Sequence, residues 1–117
     1  TEHNNARRSV LPNASVMPML TWDQRLADFA QEHVASCPGL VAASEAARQN
    51  VSRLGFASVG QNVAGGASAE FEAANGGRVA TAAWVSERSS WTFPRACAVG
   101  ASCANYTQVI WAGTTKV

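Results

Sequence analysis

Few of the 117 residues carry groups suited to catalysis or metal binding: two histidines, His3 and His33, three cysteines, Cys37, Cys97 and Cys103, and eight acids. Glu87 is the acid that stands out. The spacing predicts a helix over about Arg78 to Arg88 whose apolar stripe runs through Val79, Ala80, Ala83 and Trp84, and Glu87 continues that stripe at i+3 from Trp84. A carboxylate there is costly unless it reaches a cleft or a hydrogen-bond partner. Alone it cannot supply both an acid and a base poised near neutrality. His33 falls on a helical stripe and reads as a packed or boundary histidine, and His3 is expected to hold a structural hydrogen bond. No motif supports a cysteine nucleophile with a histidine base. Cys97 and Cys103 can close a small loop if their Cα atoms come within about 7 Å. The odd count then leaves Cys37 either a free thiol or one whose partner lies past Val117, and the favoured reading is that the chain is a fragment.

The elements that must position these residues follow from periodicity. Residues 2–10 suit a short helix, and 11–18 a loop punctuated by Pro12 and Pro18. The strongest helix follows, with Thr21 and Gln24 as a capping box and Trp22, Leu26, Phe29, Ala30, His33, Val34 and Cys37 on one stripe; Pro38-Gly39 ends it. Ser44 to Leu54 reads as a second, weaker helix stopped by Gly55, Phe56 to Ala64 as extended chain, and Asn75-Gly-Gly77 as a turn. Ser89 to Gly100 reads as a loop. Cys103 to Trp111, rich in aromatic, β-branched and hydroxylated residues, is predicted to be a strand, with Tyr106, Gln108 and Ile110 on one face and Asn105, Thr107, Val109 and Trp111 on the other. Trp22, Trp84 and Trp111 are expected in the core.

Composition narrows the class. Hydrophobic content of 47% with 15% charged residues fits one globular domain over 1–117. A formal charge of +1 without like-charge runs argues against nucleic acid, and the longest apolar runs fall short of a membrane span. Residues 1–10 do not resemble a signal peptide. The middle third is biased toward Ala and Gly. Three sequons, at Asn13, Asn50 and Asn105, push weakly toward secretion.

Five motifs, in order, carry a resemblance. His3-Asn4 with Ala6-Arg7 resembles a His-Asn-x-x-Arg opening helix; Leu20-Thr-Trp-Asp23 with Leu26-Ala27 and Ala30-Gln31 resembles an L-x-W-D…L-A…A-Q helix; Gly60-Gln-Asn-Val-Ala64 is similar to Gly-Glu-Asn-Leu-Ala. Trp84-Val-Ser-Glu-Arg88 resembles the plant version of the next helix, and Asn105-Tyr-Thr-Gln-Val-Ile-Trp111 is similar to His-Tyr-Thr-Gln-Val-Val-Trp. Together they resemble the CAP superfamily of cysteine-rich secretory proteins, antigen 5 and plant pathogenesis-related proteins. The resemblance implies an α+β fold, a three-layer α–β–α sandwich with a small antiparallel sheet, lacking its last strand if the chain is truncated.

The family places two His and two Glu around a cleft that holds a divalent metal in some members. Carried over, those places fall on Ala43, Gln61, Glu87 and Asn105, and Glu87 alone matches. The implied reading is a degenerate cleft without metal or cofactor, in which Glu87 accepts from the amides of both Gln61 and Asn105. Trp91 and Phe93 resemble the start of an aromatic loop implicated in sterol binding in tethered lipid-binding members, although Ala98 replaces a later aromatic. The expectation is a secreted, non-enzymatic protein of defence or host interaction, with a sterol, a fatty acid or an extracellular protein as partner. The alternatives are a metal-dependent or protease-like hydrolase, and an interaction scaffold using the Ser44–Gly60 region.

Overall fold

Helix α2, Gln24–Ala35, begins where Asp23 can cap it. The Asp23 carboxylate accepts from the backbone N–H groups of Arg25 (2.9 Å) and Leu26 (3.4 Å), and its pairing with the Arg25 side chain holds its pKa below the ordinary carboxylate value. Thr21, expected as the cap, instead forms a parallel bridge with Lys116. Around it the Thr21 N–H donates to Thr115 O (3.1 Å), and the Asp23 N–H to Val117 O (2.7 Å). Trp22 therefore lies in extended chain ahead of the helix, and it is 68% exposed, not core.

The computed structural model describes residues 2–66, 71 and 75–117, so the Ala- and Gly-biased middle third lies partly outside the described residues. Two groups of helices organise them. In the first, α1 (Glu2–Arg8), α5 (Gly76–Ser86) and α6 (Ala104–Val109) pack on one another. In the second, α2 packs with α4 (Val51–Leu54), and α3 (Glu45–Arg48) leads into α4. Phe29, Ala43 and Leu54 form the second group's core, with Leu26, Ala47, Phe56 and Val59 against it. The expected Ser44–Leu54 helix is thus two, interrupted because Asn50 turns its side chain back to accept from the Arg53 N–H (3.1 Å) and starts a new helix. Gly55 does end the pair, in the left-handed conformation (φ 77°). Residues 56–64 contain no assigned strand.

Beyond α5 the chain makes a 3-10 turn, Glu87–Ser90, then a hairpin of β1 (Trp91–Thr92) and β2 (Ala96–Cys97) where a loop was expected. The architecture is mixed helix with a two-stranded antiparallel sheet.

The expected strand over Cys103–Trp111 is corrected to helix α6. Its β-forming residue types are overridden by anchors at both ends. Cys103 is held by a disulfide, Tyr106 N–H by Glu87, and Thr107 Oγ1 donates back to Cys103 O (2.8 Å). At the other end the Arg7 guanidinium donates through Nη1 to the Val109 and Trp111 carbonyls (3.1 and 2.8 Å). Burial follows period 3.6, with Tyr106 and Val109 inside, and Trp111 beyond the helix is 65% exposed instead of core.

Arg7 is the principal tie between distant segments. Only 2% exposed, it also donates through Nε and Nη2 to Pro18 O (3.1 and 2.7 Å) and through Nη2 to Thr114 O (3.1 Å), and burial lowers its pKa. Asn4 adds a reciprocal pair with Leu20, donating to its carbonyl (3.1 Å) and accepting from its N–H (2.8 Å). Together they join α1 to the segment preceding α2.

Candidate functional site

Four elements deliver the four cleft positions. Ala43 ends the loop between α2 and α3; Gln61 sits in the irregular segment after α4; Glu87 stands where α5 passes into the 3-10 turn; Asn105 lies in the first turn of α6. Two sets of hydrogen bonds, joined through the Gln61–Asn62 peptide bond, link them. Gln61 Oε1 accepts from the Ala43 N–H (2.9 Å), Asn62 Nδ2 donates to Asn105 O (2.9 Å), and Asn105 Nδ2 donates to Glu87 Oε1 (2.8 Å). The other Glu87 oxygen accepts from the Tyr106 N–H (3.0 Å). Glu87 thus has two partners, but the second is backbone and not the Gln61 amide. Placed at the start of α6, its negative charge also faces the favourable end of that helix.

The surroundings hold these groups in place. Trp84 Nε1 donates to Val63 O (3.1 Å), fixing the Gln61–Asn62 segment against α5. Arg48 donates to Ala43 O (3.1 Å) and Val59 O (2.9 Å), bracing the loop that carries Ala43. His3 meets Trp84 edge-on, ring centroids 6.0 Å apart. Among the described residues its ring makes no hydrogen bond of the kind expected, and burial, then the nearby Arg7 charge, lowers its pKa. His33 Nε2 lies 2.6 Å from Val41 O, which agrees with a boundary position.

A cleft of about 950 Å³ separates the two helix groups, lined by Leu26, Phe56, Gln61, Trp84 and Val109 among others. Of the four positions only Gln61 lines it; Ala43 borders a smaller hollow of about 300 Å³ with Phe29, Glu32 and His33. The residues present do not fit a metal. Ala43 has no donor atom, the Gln61 oxygen already accepts from Ala43 N–H, and Asn105 turns its NH₂ toward Glu87. Among the described residues no group of three or more His, Cys, Asp and Glu is placed to hold an ion.

Trp91 is half-buried in β1 opposite Cys97, while Phe93, in the hairpin turn, is 61% exposed. Cys97 is disulfide-bonded to Cys103, Cα atoms 5.9 Å apart, so the hairpin is tied covalently to the N-cap of α6. Cys37 is a free, exposed thiol.

Asn62, Arg48 and Arg7 escaped sequence reasoning as site-building residues. Asn62 and Arg7 do lie inside the motifs quoted above, but their importance rests on carbonyls contributed by distant segments.

The chain belongs to the CAP family: the model described as "Cysteine-rich secretory protein family" matches residues 1–117. The chain is 35% identical to "Pathogenesis-related leaf protein 6" of Solanum lycopersicum over 98% of its own length and 60% of the relative. It is 33% identical to "Pathogenesis-related protein PR-1 type" of Sambucus nigra, over 98% of the chain and 59% of the relative. Similarity to "Peptidase inhibitor 16" of Homo sapiens is 29%, covering 98% of the chain and 22% of that protein. The chain therefore spans about 60% of the length of the plant relatives. No solved structure matches it. Among the described residues no helix is long and apolar enough to cross a membrane.

Proposed function

We propose that this is a secreted, non-enzymatic CAP protein of defence or host interaction, which works by binding and carries a degenerate metal cleft. One observation carries the reading: both oxygens of Glu87 are held by Asn105 Nδ2 and the Tyr106 N–H, and none of the other three cleft positions supplies a titratable group. General acid–base catalysis needs a second poised group, and a metal needs charged or imidazole donors. The defence role and secretion are supported by the pathogenesis-related names of the plant relatives and by the family's description.

The ligand we assign is a sterol or long-chain fatty acid, with Trp91 and Phe93 as the contact loop. Support comes from the exposed Phe93 ring on a hairpin whose base is fixed by the Cys97–Cys103 bridge. The scaffold alternative draws less support, because Leu54, Ala47, Phe56 and Val59 of the Ser44–Gly60 region turn inward and leave Val51 as its exposed large apolar side chain. The α–β–α layering belongs to the same proposal, supported by one cleft lined by residues of both helix groups and by the 115–117 segment that pairs with 21–23. A crystal structure with both helix groups on one face of the sheet would reject it.

Titration with a sterol and a fatty acid tests the binding function. Saturable binding lost in the Trp91→Ala/Phe93→Ala variant is expected, and binding retained in that variant would move the site elsewhere. For the cleft, the triple variant Ala43→His/Gln61→Glu/Asn105→His is expected to gain saturable zinc binding in calorimetry where the parent chain has none. Equal zinc binding by both would refute the degenerate-cleft reading.

A further inference from the structure

The three sequons look alike in sequence, but the fold makes them chemically different. N-glycosylation needs the side-chain nitrogen of Asn, and leaves the amide oxygen able to accept a hydrogen bond. At Asn105 that nitrogen donates a hydrogen bond to Glu87 Oε1 (2.8 Å), the residue is half-buried, and its backbone carbonyl accepts from Asn62 Nδ2. A sugar on Nδ2 would leave that nitrogen a single N–H and set a bulky polar group against Glu87 in the half-buried space where α5 meets α6. At Asn50 the arrangement is reversed. The residue is exposed, and its oxygen caps α4 by accepting from the Arg53 N–H, while among the described residues Nδ2 has no partner. Asn13 is exposed in the 11–19 segment, and its side chain makes no hydrogen bond among the described residues.

A second observation singles out Asn13. Leu11, Val16 and Met19, its neighbours in sequence, are all large apolar side chains exposed to solvent. Apolar side chains concentrated in one exposed segment need a cover, and a glycan is bulky and solubilising.

We propose that Asn13 and Asn50 are N-glycan acceptors, that Asn105 is not, and that the Asn13 glycan shields the apolar 11–19 segment. The transfer joins Asn Nδ2 to the anomeric carbon of the sugar and breaks that carbon's bond to the diphosphate of a lipid-linked oligosaccharide donor. One amide proton passes to the transferase's base; no oxidant or reductant is needed. The assignment rests on the proposed secretion only in the cell, and its test does not.

The chain is expressed behind a heterologous signal sequence in a eukaryotic secretory host, alongside a protein with a known occupied sequon. The secreted, disulfide-bonded fraction is deglycosylated enzymatically in ¹⁸O-water and mapped by mass spectrometry. Label at Asn13 and Asn50 and none at Asn105 is expected. An unlabelled Asn13 or Asn50 beside a labelled control, or label at Asn105, overturns the assignment. The shielding role has its own readout: the secreted Asn13→Gln protein is expected to bind an apolar dye several-fold more than the parent, whereas Asn50→Gln is not. Equal dye binding by the two variants overturns that role. Native secretion is tested separately with the endogenous gene product, so failure of either idea is distinguishable from failure of the other.

Discussion

Replacing Arg7 by Met keeps the apolar stem and removes every donor. Four carbonyls then lose a partner: those of Pro18, Val109, Trp111 and Thr114. The bond to Val109 is fully buried, and an unsatisfied buried acceptor costs about 1–3 kcal/mol. The other three are part-buried and regain some hydration, so each is worth about 0.5–1 kcal/mol. The sum is about 2.5–6 kcal/mol, brought down to about 3 kcal/mol because a guanidinium no longer has to be desolvated. Small domains hold only about 5–15 kcal/mol, so the loss is a large share. In urea, with a slope of about 1.5 kcal/mol/M, the midpoint should fall by about 2 M. Fluorescence of the four tryptophans follows the transition. Arg7→Lys keeps the charge but not the planar fork, and should fall between the two. A Met variant within about 1 kcal/mol of the parent, with Lys indistinguishable from Arg, would show that Arg7 does not hold α1, α6 and the 111–114 turn together.

Glu87→Ala should destabilise by about 1–3 kcal/mol because the Tyr106 N–H and Asn105 amide lose their acceptor, while Glu87→Gln, which keeps an acceptor oxygen, should cost less; equal losses in thermal unfolding would contradict the capping role. Cys97→Ala/Cys103→Ala opens a loop of sequence separation 6, for which chain entropy gives about 2 kcal/mol, and reduction of the parent chain should lower its stability by the same amount. His3 has a folded pKa below its ordinary value of 6.5. The unfolded chain therefore binds more protons in that window, so stability should rise with pH from the lowered folded value up to about 6.5 and then level off. The slope should stay well under the one-proton limit of about 1.4 kcal/mol per pH unit, because the ring is only partly buried. His3→Phe should flatten this dependence, and an unchanged profile would assign it to another group.

Motif order, spacing and residue type made the family legible in the sequence alone. The same holds for the position of α2, the Gly55 stop and the substituted donors at Ala43, Gln61 and Asn105. These are properties of side-chain identity and local periodicity, which the chain carries before it folds. Tertiary structure decided what the isolated segments left open. Residues 104–109 have β-forming side chains, yet they are helical because a disulfide, the Glu87 carboxylate and the Arg7 guanidinium satisfy both ends of a six-residue helix. Trp22 and Trp111 look like core and are not, because they flank elements instead of lying within them. Glu87 finds a backbone N–H in place of the expected Gln61 amide. Its second acceptor site is filled by whichever donor the packing of α6 on α5 brings within 3.0 Å, and no local pattern encodes that distance.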